Sequence, residues 1–220
     1  DWGDEAKPLS GHAGAVGIDR VLQAARRGHV AQVEAHVRDN PQLLKAYSQG
    51  HNRSLMWEAA RGGSDELVKV LLDLGADYSI PGRVRSEIQV LLPPLTVAQR
   101  YRKRTVVELL TWAGAGYDFF SCCYLGYLHE VERQVSQDPE LIDSEVPFDS
   151  VWRVTGIHYA VAADNLEVFD FLVDKGARTR PYSRLLLNIA ARNCGEAMYN
   201  RLIASGINES HVKQWYKRKV

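Results

Sequence analysis

The 220-residue sequence has no excess of charge of either sign, since Lys and Arg together number 27 and so do Asp and Glu. A balanced chain exerts no general pull on nucleic acid or an anionic membrane, so any electrostatic function rests on how charge is distributed locally. The sequence also lacks an apolar run of the ~18 residues needed to cross a bilayer, and its N-terminus lacks the basic-then-apolar profile of a signal peptide. A first residue of Asp1 leaves room for a removed or trimmed leader. Cysteine is scarce. Three residues, two of them adjacent at Cys122 and Cys123, make a poor disulfide framework and point to a reducing, cytoplasmic compartment.

Motifs of catalysis are missing as well. There is no G-x-S-x-G, no H-E-x-x-H and no Walker sequence. Gly11, Gly14 and Gly17 follow a G-x-x-G-x-x-G spacing with no strand before them and no Lys-Ser/Thr after, which excludes a phosphate loop. His29 and His36 are seven apart and can share a helical face, yet no third ligand falls at a metal spacing. Asn52-Arg53-Ser54 and Asn208-Glu209-Ser210 fit glycosylation sequons, which matter only in a secreted protein. Cys194 is expected exposed near a turn, with no base beside it. The expectation is a chain with no catalytic residue, no metal and no cofactor.

What the sequence does contain is internal repetition. Thr155 to Ala177 reads as two short helices, with apolar residues at helical spacing from Ile157 to Val161 and from Leu166 to Val173, a turn at Asp164-Asn165 and a stop at Gly176. Such a hairpin leaves an apolar face uncovered and needs copies of itself on either side. The pattern recurs from Ile18, and again from Ser54 to Asp77. Taking the first residue of each small-residue pair as a ruler, six copies fall on Ala24, Ala59, Ala98, Cys122, Ala160 and Ala190. Their mean interval is about 33 residues. Gly126 and Pro139 lie 98 residues after Gly28 and Pro41, so the array reads as two sets of three.

These segments resemble ankyrin repeats, whose signature is T-P-L-H-x-A-A, a Gly turn, an apolar second helix and G-A-D/N. Thr155-Gly156-Ile157-His158 departs from that opening only by Gly at the proline place and Ile at the leucine place, and Gly75-Ala76-Asp77 matches its end. The resemblance implies an all-α solenoid of stacked helix-turn-helix hairpins with short and irregular finger loops. Residues 1–17 read as an N-terminal arm or irregular cap, 18–208 as six repeats (about 18–51, 52–92, 93–118, 119–150, 151–181 and 182–208), and 209–220 as a C-terminal cap helix. The spacing lengthens the fingers around Tyr78 to Pro93 and Asp143 to Val154, and nearly deletes the one at Gly116 to Phe120. Arg102 stands where the turn glycine belongs, which puts the local turn geometry in doubt, because glycine takes a left-handed backbone without steric cost.

Within that register His158 takes a structural role in the opening turn, and Cys122 and Cys123 take small packed positions. Trp57, Trp112, Phe169 and Phe171 are expected in the core. Residues 83–104 hold six bases against one acid, Glu87, while residues 129–150 hold seven acids against Arg133 alone. Arg26, Arg61 and Arg100 recur at equivalent helix ends, so stacking is expected to align them as a stripe. Aromatics in the connections, Tyr78, Trp152 and Tyr182, together with Tyr101, supply the residue types that dominate binding energy at interfaces.

The reading is a monomeric module that binds another protein, one with an acidic surface, acting as an inhibitor, immunity factor or adaptor. The contact residues are Arg61, Tyr78, Arg83, Arg85, Arg100, Tyr101, Arg102, Trp152 and Arg153. The alternative is a nucleic-acid-binding module using the patch from Arg83 to Arg104. No membrane partner is expected.

Overall fold

A computed structural model describes residues 12–48, 51–84, 90–148 and 152–207. The described residues form twelve α-helices, three short 3-10 turns and one two-stranded hairpin. None of these helices is long and apolar enough to cross a membrane. The chain divides into two compact units, the first including residues 91–116 and the second beginning at Tyr117.

The first unit contains α1 (His12–Arg27), α2 (Val30–Asp39), α3 (Leu55–Gly62), α4 (Asp65–Asp73), α5 (Pro94–Arg100) and α6 (Arg104–Trp112). Helices α1, α3 and α5 pack side by side as one layer, while α2, α4 and α6 form a second layer against them. The second unit repeats the plan with α7 (Phe119–Leu125), α8 (Leu128–Gln137), α9 (Gly156–Ala162), α10 (Leu166–Asp174), α11 (Ser183–Asn193) and α12 (Glu196–Ala204). Its first-helix layer is α7, α9 and α11, and its second is α8, α10 and α12. This is the all-α hairpin stack that the repeat pattern implies.

Local chemistry explains each hairpin. Helix α4 starts where the Ser64 hydroxyl accepts from the backbone N–H of Leu67 at 3.3 Å, which satisfies a donor that the helix cannot. It buries Leu67, Val68 and Leu71 along one stripe and ends at Gly75, in the left-handed region at φ 77°. The backbone N–H of Ala76 then closes back on the Leu71 carbonyl at 2.8 Å. Between the helices of the first five pairs the turn again uses a left-handed residue, Gly28, Gly63, Arg102, Gly126 or Asp164, whereas the α11–α12 turn at Cys194 and Gly195 keeps negative φ. Arg102 at φ 56° therefore keeps the glycine geometry rather than altering it. The stack imposes the backbone conformation, and the side chain bears the strain.

Four expectations are corrected. Helix α1 begins at His12, so residues 12–17 are helical rather than an irregular cap. No proline interrupts His12 to Arg27, and glycine weakens a helix without forbidding it. Trp112 is not a core residue but 88% exposed. Val106 and Leu110 turn α6's apolar face inward, and two further residues rotate Trp112 by about 200° to the solvent side. Phe171 is only half-buried, with the Lys175 ammonium 5.7 Å over its ring, whereas Trp57 and Phe169 are buried as expected. The short connection at Gly116 shrinks further than the spacing suggests, because Phe119 and Phe120 belong to α7. The expected cap helix at 209–220 lies outside the described residues.

Candidate functional site

The first unit carries a cationic, aromatic cluster at the C-terminal ends of its first helices. Arg26, Arg61 and Arg100 each stand two residues before the left-handed turn residue, on three helices of one layer. Arg26 and Arg100 are exposed, and Arg61 is half-buried. The Arg61 guanidinium lies 5.7 Å from the centroid of the Trp57 ring and 5.4 Å from that of Tyr101. Two aromatic faces hold one planar cation, which limits its rotamers while leaving N–H edges to hydrogen bond.

Beneath this cluster sits an ion pair that the sequence reading missed. The Glu58 side chain is 6% exposed, and its Oε1 accepts from Arg53 Nη1 at 3.3 Å. Arg53 also donates from Nε to the Arg83 carbonyl and from Nη2 to the Val84 carbonyl, each at 2.8 Å. One arginine thereby ties helix α3 to the long finger, and its guanidinium lies over the Trp57 ring at 5.1 Å. Glu58 Oε2 is buried without a partner. Burial holds the Glu58 carboxyl above the usual carboxylate range, opposed by the nearby Arg53, Arg61 and Arg26 charges. The sequence signal was present in Glu58 and Arg61, three apart on a helix and so on neighbouring faces. Arg53, outside the helix, gave no such signal.

The predicted contact residues separate. Arg61, Arg100 and Tyr101 come together at the helix ends. Arg83 is held in the finger by its backbone, donating to the His51 carbonyl at 2.8 Å and accepting from Arg53. Tyr78 is half-buried, and its hydroxyl stands 3.4 Å from where a Cβ on Gly114 would lie, at the end of α6 and away from the Arg61 cluster. Arg102 is exposed in its turn. Arg85 lies outside the described residues. Trp152 and Arg153 belong to the second unit, in the hairpin of β1 (Val146–Pro147) and β2 (Arg153–Val154). There Arg153 pairs with Glu145 at 3.1 Å and Arg178 with Asp143 at 2.8 Å. Much of the acidic run is thus spent on neighbours inside its own unit.

None of the thiols is poised for nucleophilic chemistry. Burial pushes Cys122 up to about 12 and Cys123 well above its ordinary value. Cys194, expected exposed, is half-buried and donates its S–H to the Val161 carbonyl at 2.9 Å, with burial raising it to about 12. These are protonated, weakly reactive sulfurs. Among the described residues no group of three or more His, Cys, Asp or Glu is placed to hold a metal ion.

The opening turn of α9 carries the structural signature of the fold. Thr155 donates its backbone N–H to His158 Nδ1 at 3.0 Å, so the neutral ring carries its proton on Nε2. Burial holds the ring down at about 3, and His158 is fully buried as a structural residue. The same N-cap role is filled by Ser54 in α3, which accepts from Trp57 N at 3.1 Å, and by Asp118 in α7, which accepts from Ser121 N at 2.7 Å. Capped first helix, left-handed turn and apolar second helix recur through both units. This is the repeated hairpin that the resemblance to ankyrin repeats implies.

Ankyrin-repeat structures appear among 297 solved chains that match this one. The ankyrin repeat domain of human ASB11 is 20% identical with a TM-score of 0.40, over 86% of this chain and 84% of that one. A chain from the complex of the predatory endopeptidase Bd0816 of Bdellovibrio bacteriovorus with the immunity protein Bd3460 is 21% identical, also at 0.40, over 79% of this chain and 91% of that one. No family profile and no curated protein matches the sequence.

Proposed function

We propose that this chain is a binding protein that holds another protein through the first-helix ends of its first unit, as an inhibitor, immunity factor or adaptor, with no catalysis of its own. The observation that carries this reading is the half-buried Arg61 fixed against the buried Trp57 and the half-buried Tyr101 at the end of a packed layer. Arginine and large aromatics in a rigid setting are the residues from which interfaces draw most of their energy, because little side-chain entropy remains to be lost on binding.

The test is affinity capture with the full chain and with Arg61→Glu/Arg100→Glu, each checked by thermal melting and followed by mass spectrometry. The reading expects a protein retained by the parent chain to be lost from the double variant at an unchanged melting temperature. Equal retention by both chains places the interface elsewhere. The nucleic-acid alternative has fewer free cations than the sequence suggests. Arg104 pairs with Glu108 at 3.1 Å, and Arg53 turns inward to Glu58 and the finger carbonyls. An oligonucleotide titration over a salt series addresses it directly, since phosphate contacts weaken steeply as salt rises.

A further inference from the structure

We infer that the first-helix ends of the first unit form a receptor for an extended acidic peptide whose carboxylates fall on every third residue. The inference rests on the binding reading above and names the chemistry of the partner.

The recognising groups form a row with a repeat distance. Arg26, Arg61 and Arg100 occupy the same helical position on α1, α3 and α5, which pack successively in one layer. Packed helices lie about 8–10 Å apart, so this layer presents a cation at roughly that interval. An extended chain in the polyproline-II form advances about 3.1 Å per residue and turns once every three residues, so three residues cover about 9 Å and return to the same face. Carboxylates at every third position therefore meet successive arginines. A spacing of two falls short by about a third.

The central arginine supplies the selectivity for carboxylate. The Arg61 guanidinium carbon sits over the Trp57 and Tyr101 ring faces, and a guanidinium fork matches a planar carboxylate through two parallel bonds. Of the described residues no carboxylate forms an ion pair with Arg26 or Arg61. The nearby Glu58 is buried and bonded to Arg53. An oligonucleotide carries its phosphates at a shorter interval than the row and serves as a control.

The experiment measures fluorescence anisotropy of labelled peptides against the full chain at about 100 mM salt. One peptide of about twelve residues carries Glu at every third position among Ser and Thr; a second has the same composition with its Glu residues in one block; an oligo-dT of similar length is the third probe. The inference expects the spaced peptide to bind roughly tenfold more tightly than the blocked one. It expects Arg61→Gln, which removes the central cation of the row, to erase that preference while the melting temperature holds. Equal binding of the two peptides, no measurable binding of either, or an unaltered preference in Arg61→Gln overturns it. Tighter binding of oligo-dT than of the spaced peptide overturns it in favour of a phosphate ligand. Loss of captured protein from Arg61→Glu/Arg100→Glu without any spacing preference leaves the binding function standing and removes only this inference.

Discussion

The third residue after the N-cap of the first helix is treated in opposite ways by the two units. In the first unit it is Trp57, fully buried, whose Nε1–H donates to the Leu92 carbonyl at 2.8 Å and so anchors the finger. In the second it is His158, equally buried, whose Nε2 has no hydrogen-bond partner and whose ring meets Tyr182 edge to face at 5.0 Å. The helix ends differ too. Arg26, Arg61 and Arg100 in the first unit have Tyr124, a buried Ala162 and Arg192 as counterparts in the second. One stacking plan thus supports two chemistries. The difference teaches that the repeat specifies a set of positions, while the residues placed there decide whether a surface binds or merely closes.

The comparison breaks most sharply at Trp57. Trp57→Ala removes the largest buried side chain of α3 and the finger anchor, and is expected to destabilise the protein by about 3–5 kcal/mol in chemical denaturation. Hydrogen exchange should accelerate in α3 and the finger before it does in α9. Uniform acceleration would mean that the units do not differ in this respect.

His158 gives the next effect, and its sign follows from proton counting. The folded ring titrates at about 3 against 6.5 when unfolded, so below 6.5 the unfolded chain binds a proton that the native one does not. Its contribution is present in full above that pH and is lost as pH falls towards 3, on the order of 4 kcal/mol over the window. His158→Gln should flatten that slope, as read from denaturation midpoints at several pH values. Glu58 acts with the opposite sign. Burial raises its folded value, so its contribution declines as pH rises through that value.

Gly62 offers a smaller effect that sharpens the contrast. A Cβ there would lie 2.2 Å from the Arg26 carbonyl oxygen, whereas the corresponding residue of α9's turn is Ala163. Gly62→Ala is expected to cost about 1–3 kcal/mol through the forced separation of α1 and α3. A neutral result would show that this approach is not as close as described. The smallest effect is a gain. Arg102→Gly relieves the left-handed backbone and should add about 1 kcal/mol, seen as a melting temperature higher by a few degrees.

Much of the fold was legible because its causes are local. Ser64 before D-E-L-V, the glycines at 75 and 176 and the stripe of Leu67, Val68 and Leu71 announce their roles through nearest neighbours in the chain. The site was legible in part. Arg61, Arg100 and Tyr101 share a helix register that can be counted along the sequence. Arg53 could not be found this way, because its partners at Arg83 and Val84 are thirty and thirty-one residues distant and are met only through the packed finger. Trp112 was misplaced for a related reason. An aromatic residue on a helix suggests burial, but only the face chosen by Val106 and Leu110 settles which way it points.

By itself, then, the sequence determined the repeated hairpin, its period, its turns and the recurrence of arginine at the helix ends, since these depend on residue spacing and backbone propensity. Only the tertiary structure decided which of those arginines is held by aromatic rings, that Arg53 is consumed by the buried Glu58, and which acids are already paired. Charge and aromaticity can be counted along a chain. Whether they are available for a partner depends on what lies next to them in space.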